Sequence, residues 1–145
     1  MKIRKTLGID LGTTNSVVAM LDPTDSSIIT AKDENGEQTF PSVVAHHPEQ
    51  NRLLEGRQAR SLAGQKQSPV FSVKRYMGVD HLFDLGEEKL TPTEVSARIL
   101  SYGREAMART LQNTHYVLDQ AVITMPAYFN HNQIEETRRA GELAG

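Results

Sequence analysis

The sequence predicts a mixed α/β fold, and three observations carry that prediction. Short runs rich in Val and Ile near the N-terminus are separated by turn residues, which is typical of an antiparallel meander. A capped segment from Pro92 to about Gln112 has apolar residues at helical spacing. A short apolar run at 121–125 precedes a second helix start. Strands followed by helix, strand and helix make a mixed α/β plan.

The N-terminal strands begin with Thr6 to Asp10 and Ser16 to Leu21, two runs that are too short for helices. The Gly, Thr and Asn residues of Gly12 to Asn15 lie between them and predict a hairpin with a polar tip. A third strand is predicted at Ile28 to Ala31, ahead of the turn at Asn35-Gly36. These runs predict an antiparallel meander over roughly the first 35 residues.

The middle of the chain has a weaker pattern. Strands are predicted at about Ser42 to His46 and at Arg52 to Glu55. Helical segments are predicted through Ala63 and again from Pro69 to Tyr76.

The C-terminal elements have clearer boundaries. The segment Thr91 to Glu94 is a capping box with Pro at the first helical position. The run Ala121 to Met125 predicts a short buried strand that Pro126 stops. Asn130, with Gln three residues later, starts another helix that is predicted to end at Gly145.

Length and composition exclude several classes of protein. At 145 residues the chain is close to the commonest domain size, so we expect one domain or a fragment of a larger one. The net charge of −2 supplies no general attraction for nucleic acid or an anionic membrane. The absence of Cys excludes disulfides, thiolate nucleophiles and Cys-based zinc sites. Without a signal peptide or a membrane-spanning run, a soluble, cytoplasmic protein is expected.

The segment LGIDLGTTNS at 7–16 is the most informative for chemistry. Asp10 ends a predicted strand, and Gly12 lets the backbone approach a ligand closely. Thr13 to Asn15 then offer the amides and polar side chains that bind phosphate. Because a carboxylate and a phosphate repel each other, a hard cation such as Mg²⁺ must lie between them. The pattern therefore points to a Mg²⁺-nucleotide, although a plain hairpin tip fits the same spacing.

Other motifs, present or missing, limit the kinds of site that the chain can contain. The P-loop, dinucleotide-binding and nucleophile-elbow motifs are all missing. Lys74 has two interpretations. It lies in an apolar segment that could hold a cation towards a transferred phosphoryl group, or it is part of a solvated Lys-Arg pair. The five His residues lack metal-ligand spacing. The junction MPAYFN at 125–130 fits either core packing or a hinge.

Four stretches resemble the N-terminal part of the DnaK-type, seventy-kilodalton heat-shock chaperone family. They are GIDLGTTNSVVA at 8–19, TFPSVVA at 39–45, SVKRYMG at 72–78 and AVITMPAYFNHNQIEETRRAGELAG at 121–145. The resemblance covers essentially the whole chain and implies the actin-like, ribonuclease-H-like ATPase fold. Residues 1–145 would form an incomplete first lobe, and the second lobe and the peptide-binding domain would lie beyond Gly145.

The same resemblance implies roles for individual residues. Asp10 would hold Mg²⁺ through water, and Lys74 would be the catalytic lysine near the terminal phosphate. Pro126, with Tyr128, would belong to an allosteric switch. The residues of the tip that would bind the phosphates of ATP or ADP are Gly12, Thr13, Thr14 and Asn15.

The implied function is that of a stress-response chaperone. Its ATP hydrolysis would drive the binding and release of unfolded polypeptides, with a J-domain co-chaperone and a nucleotide exchange factor as partners. The 145-residue chain alone is expected to be inactive, because one wall of a cleft cannot position the phosphates from both sides. His131 and Ile134 stand where members of this family usually have an acidic residue and an arginine.

Three other functions compete with this one. An actin-like filament ATPase would also resemble GIDLGT and PSVVA, but that family does not carry SVKRYMG together with MPAYFN. A sugar kinase of the same superfamily would need a sugar-positioning carboxylate, which the sequence does not reveal. A non-catalytic lobe that acts as an interaction module is the third alternative.

Overall fold

The computed structural model describes residues 1–64, 68–112 and 115–145. In chain order its elements are β1 (Ile3–Leu11), β2 (Asn15–Leu21), β3 (Ile28–Thr30), β4 (Phe40–Pro41), β5 (Val44–His47), β6 (Arg52–Glu55), α1 (Gly56–Arg60), a 3₁₀ helix (Val73–Tyr76), β7 (Phe83–Leu85), β8 (Glu88–Leu90), α2 (Pro92–Leu111), β9 (Tyr116–Ile123) and α3 (His131–Leu143). This mixture of strands and helices confirms the predicted α/β class. Within the described ranges, every helix is too short or too polar to cross a membrane.

The central sheet has the strand order β3-β2-β1-β9, and β4 pairs with β2. β1 and β2 are antiparallel, with Leu11 opposite Ser16, which confirms the predicted hairpin. β3 continues the predicted meander by pairing antiparallel with β2. β9 instead lies parallel to β1, with Ile9 opposite Ile123. Because the two strands run in the same direction, their carboxyl ends meet at one edge of the sheet, and a long crossover connects them.

Helix α2 covers one face of this sheet. The Thr91 side chain accepts a hydrogen bond from the N–H of Glu94, and Pro92 opens the helix, as predicted. The Glu94 carboxylate accepts from the Thr91 hydroxyl at 3.0 Å, so the structure has only the N-cap half of the predicted capping box. Gly103 lets the helix approach closely, because a Cβ there would lie 2.6 Å from Val18 Cγ2. The buried residues that form the core between α2 and the sheet include Leu7, Ile9, Leu11, Val18, Met20, Phe40, Val95, Ile99, Leu100, Ala106 and Met107.

Three parts of the middle region differ from the predictions. The helix predicted over Pro69 to Tyr76 is wrong except for the single 3₁₀ turn. The backbone of Val70 bridges to Val44, and this pairing holds the start of the segment extended. The strand β4 and the hairpin of β7 and β8 were not predicted, because each has only two or three residues per strand and carries little periodicity.

The prediction of a short buried strand at Ala121 to Met125 is also wrong in bounds and burial. β9 starts earlier, at Tyr116, and ends at Ile123. The four consecutive residues 119–122 are exposed, with Val122 at 67%, and β9 is the edge strand of the sheet. The capping box predicted at Asn130 is confirmed, and α3 follows it to Leu143 rather than to Gly145.

A buried carboxylate fixes the loop that follows β3. Asp33 Oδ1 accepts hydrogen bonds from the N–H groups of Asn35 and Glu37, each at 2.9 Å. Its Oδ2 accepts one from Arg57 Nε at 3.0 Å, and the Asp33 side chain is fully buried. Burial alone raises the pKa of Asp33, but the hydrogen bonds and the Arg57 charge outweigh it and lower the pKa below its usual value. The ionised form therefore stabilises the loop.

We expect Asp33→Asn to lower the free energy of unfolding at pH 7 by about 1–3 kcal/mol, the range for losing hydrogen bonds to a buried charge. Because the pKa of Asp33 is lowered in the folded state, this contribution is complete above the unfolded value of about 3.9. It is lost as the pH falls through the folded value. Urea denaturation followed by circular dichroism measures the contribution of Asp33 at pH 7 and its loss near pH 3.

Glu37→Gln is the matched control, because Glu37 is a neighbouring exposed carboxylate whose hydrogen bonds with Asp33 involve its backbone N–H and carbonyl, not its side chain. It should change the stability little at either pH. A loss for Asp33→Asn that is the same size at both pH values would contradict an ionised, stabilising Asp33.

Candidate functional site

The carboxyl ends of β1 and β9 place Asp10 beside Thr124. The N–H of Thr124 donates to the carbonyl of Ile9 at 2.9 Å, which extends the parallel pairing by one residue. The Thr124 hydroxyl donates to Asp10 Oδ1 at 2.8 Å. Asp10 is exposed. Ligands of α/β sheets bind at the carboxyl ends of parallel strands, so this edge is a natural position for a site.

The hairpin tip next to Asp10 is tightly folded. A Cβ on Gly12 would lie 2.0 Å from the carbonyl oxygen of Asn15, so the turn has room only for glycine. Thr13 is half-buried, and the side chains of Thr14 and Asn15 are exposed. The tip therefore presents the polar groups that the sequence predicts for phosphate binding.

Strand β4 and the residue after it brace this tip. The N–H of Ser42 donates to the carbonyl of Thr14 at 2.8 Å. The hydroxyls of Ser16 and Ser42 form a hydrogen bond of 2.7 Å, and both residues are only 1% exposed. Buried hydroxyls that satisfy each other hold a single geometry, because losing either partner leaves the other unpaired. The contacts of Ser42 with Thr14 and Ser16 therefore fix the conformation of the tip.

Lys74 reaches the same tip from the 3₁₀ helix. Its Nζ donates to the carbonyl of Leu11 at 2.6 Å. The flanking residues Val73 and Met77 are each 1% exposed and anchor the 3₁₀ helix in the interior. The hydroxyl of Ser96, on α2, also donates to Met77 Sδ at 3.4 Å. The structure thus brings Lys74 to the tip, and the alternative of a merely solvated Lys-Arg pair does not describe it.

The donors at this site fit Mg²⁺ bound together with phosphate. Asp10 offers a carboxylate next to the tight turn at Gly12. In the described part of the chain, no three His, Asp or Glu residues are grouped so that they can hold a metal ion by themselves. Mg²⁺ commonly takes one or two carboxylates and completes its octahedron with water and phosphate oxygens. Asp10 is therefore the residue that can hold it here.

The predicted switch residues lie just beyond Thr124. The N–H of Phe129 donates to the carbonyl of Pro126 at 3.0 Å and closes a turn ahead of α3. Phe129 is 9% exposed, whereas Tyr128 is 83% exposed, with its ring 5.8 Å from that of Phe129. Within the described ranges, no hydrogen bond or ring contact joins Tyr128 to the tip. Pro126 thus lies two residues after Thr124, which contacts Asp10, while Tyr128 points to solvent.

Sequence reasoning missed Thr124 and the Ser16–Ser42 pair. Thr124 ends the apolar run AVIT, but its importance depends on the parallel register of β9 against β1. Ser42 follows Phe40-Pro41, a strand too short to predict. A polar residue at the end of an apolar strand was the available signal for Thr124.

An apolar cavity lies away from the tip. It occupies about 550 Å³ between β9, α2 and α3 and is lined mainly by apolar side chains, among them Leu7, Ile123 and Ile134. Ile134 thus faces this groove. The groove lacks the turn amides that phosphate requires, so we place the candidate site at the tip.

The chain matches the family model described as Hsp70 protein, over residues 6–85 and 80–145. It is 43% identical over 147 residues to the chaperone protein DnaK of Halobacterium salinarum (strain ATCC 29341 / DSM 671 / R1), covering 100% of this chain and 22% of that protein. It is 39% identical over 139 residues to the chaperone protein DnaK of Mesomycoplasma hyopneumoniae (strain 232), covering 96% of this chain and 22% of that protein. The chain therefore spans 22% of the length of these curated relatives.

Gly12→Ala tests the geometry of the tip. The added Cβ cannot fit against the Asn15 carbonyl, so the turn must open and the bond from Ser42 N–H to Thr14 must weaken. We expect faster hydrogen exchange at the Ser42 amide and a loss of about 1–3 kcal/mol in unfolding free energy, as for other overpacked sites. Amide exchange measured by NMR reports both effects.

Gly8→Ala is the matched control on the same strand, because its Cβ would meet only the Ala19 carbonyl at an ordinary 3.7 Å. It should leave Ser42 protected. Unchanged protection of Ser42 in Gly12→Ala would show that the turn does not depend on glycine.

Proposed function

This chain belongs to the Hsp70 protein family, and we propose that it forms the nucleotide-facing beginning of a chaperone's ATPase domain. Its mixed α/β architecture is a fragment of the actin-like ATPase fold predicted from the sequence. The proposal rests most on one observation: Lys74 Nζ lies 2.6 Å from the carbonyl of Leu11, next to Asp10 and the tight turn. A cation, a carboxylate and turn amides together match the needs of a Mg²⁺-nucleotide.

The tip would bind the phosphates. The amides and side chains of Thr13, Thr14 and Asn15 supply donors at a turn that Ser42 holds from beneath. Gly12 would allow the phosphate oxygens to approach the backbone, because no side chain stands in the way. Fixed donors of this kind stabilise charge without the cost of reorganisation.

Lys74 would act on the terminal phosphoryl group. An ammonium group carries three N–H donors, and the Leu11 carbonyl takes one of them. The two others remain for a phosphate oxygen and for the attacking water. Hydrolysis would then proceed by in-line attack of water, with Lys74 neutralising the charge of the transition state.

Asp10 would provide the protein's contact with Mg²⁺, through water. When bound, Mg²⁺ supplies positive charge that neutralises phosphate oxygens and orients them for transfer. Asp10 would hold its carboxylate in place at the end of β1, supported by the Thr124 hydroxyl.

The activity of a whole protein goes beyond these residues, because the chain spans 22% of its relatives. We propose that hydrolysis drives the binding and release of unfolded polypeptides, with a J-domain co-chaperone and a nucleotide exchange factor as partners. Pro126 and Tyr128 would carry the switch between the nucleotide and the clients. We also propose a role in the stress response and a cytoplasmic location. The 145 residues by themselves would have little or no turnover.

Lys74→Met tests the catalytic role. Removal of one preorganised donor typically costs about 10²–10³ in kcat, and we expect a loss of this size with less than about a tenfold change in nucleotide affinity. The measurement is ATP turnover at saturating ATP, together with ADP affinity, in a full-length protein that carries these residues.

The control is Lys89→Met, which removes an exposed lysine whose ion pair with Asp84 spans 3.7 Å. It should leave both quantities unchanged. Equal turnover in Lys74→Met and the unsubstituted protein would remove Lys74 from the mechanism.

A further inference from the structure

Thr124 is the residue that holds Asp10 in the structure. Its hydroxyl donates to Asp10 Oδ1 at 2.8 Å, across a separation of 114 residues in the chain. Among the residues that the structure describes, no other group donates a hydrogen bond to this carboxylate. The orientation of Asp10 therefore depends on a single hydroxyl from the neighbouring strand.

The hydroxyl itself is fixed by the backbone. The N–H of Thr124 donates to the carbonyl of Ile9 at 2.9 Å, directly after the Ile9–Ile123 pair of the two parallel strands. Thr is β-branched and has few χ1 rotamers, so the position of its hydroxyl follows closely from the backbone. Asp10, by contrast, is exposed, so burial does not fix its side chain.

We propose that Thr124 is a positioning residue for the metal-facing carboxylate of Asp10. The hydrogen bond to Oδ1 sets the plane of the carboxylate and leaves Oδ2, with the second lone pair of Oδ1, for metal-bound water. This inference rests on the proposed function and deepens it. Partners that orient a metal ligand typically change metal affinity by about 10–100-fold when they are removed.

A purely structural role is the competing explanation, since Thr124 also joins the ends of β1 and β9. The same two strands supply a matched comparison. Thr6 Oγ1 donates to Gln120 Oε1 at 3.3 Å, also across 114 residues, at an exposed position earlier in both strands. Thr6→Val removes a cross-strand hydroxyl without touching Asp10, so it separates loss of strand pairing from loss of carboxylate positioning.

The test uses the 145-residue chain and Mn²⁺ alone as the probe. Paramagnetic Mn²⁺ broadens the NMR signals of nearby amides, so the concentration that half-broadens the amides of residues 10–15 measures affinity at the tip. Asp10→Asn defines the broadening that does not depend on this carboxylate. Thermal unfolding followed by circular dichroism shows whether each variant is folded.

We expect Thr124→Val to raise the half-broadening concentration at the tip by about tenfold or more. Thr124→Ser keeps the hydroxyl, so its half-broadening concentration should stay within about twofold of that of the unsubstituted chain. Thr6→Val should have the same half-broadening concentration as the unsubstituted chain. If the Val variant does not fold, Thr124→Ala against Thr124→Ser gives the same comparison, because these two differ only in the hydroxyl.

Two results would overturn the inference, and only the second would also contradict the metal-facing role of Asp10. Equal half-broadening in the unsubstituted chain and in Thr124→Val would reject the positioning role and leave Asp10 as a metal-facing residue. Broadening at residues 10–15 that is unchanged in Asp10→Asn, or that never appears, would reject Asp10 as that residue as well. The second result would contradict the proposed function itself.

Discussion

The turn at Gly12 is the constraint on which the rest of the site depends. With the Asn15 carbonyl 2.0 Å from where a Cβ would stand, the chain can reverse this sharply only through glycine. The reversal puts the Leu11 carbonyl in reach of Lys74 and leaves Asp10 exposed at the end of β1. The Ser16–Ser42 pair then holds the turn from beneath. A looser turn would separate the groups that we assign to phosphate and metal.

Three distant segments of the chain contribute to this one edge. β1 and β2 supply the tip, the 3₁₀ helix supplies Lys74, and Thr124 follows directly on β9. Helix α2 makes their meeting possible, because it connects β8 to β9 and packs on the sheet beneath the tip. Its Ser96 also contacts Met77, at the end of the 3₁₀ helix. The apolar core thus sets the distance between the cation and the carboxylate, which is what phosphoryl transfer requires of a protein.

Local patterns predicted a good part of this fold. The β1–β2 hairpin, the N-cap bond at Thr91 and the capping box at Asn130 are as expected, because each is encoded within a few residues. The predictions for Pro69 to Tyr76 and for the burial of β9 are wrong, because both depend on pairing with remote strands. In the site, the residues of the tip carried their own signal, and the structure places Lys74 beside them. Little in the sequence indicates a role for Thr124, because that role depends on the parallel register of β9 against β1.

The most direct test of the central claim is amide shift mapping by NMR as Mg²⁺-ADP is added to this 145-residue chain, up to about 10 mM. Affinity near 1 mM, about −4 kcal/mol, is sufficient for the measurement. The account predicts that the largest shifts occur in residues 11–15, with smaller ones at Lys74 and Thr124, and that Asp10→Asn reduces them. Shifts confined to the apolar groove between β9 and α3, or no shifts at all, would contradict a phosphate site at the tip.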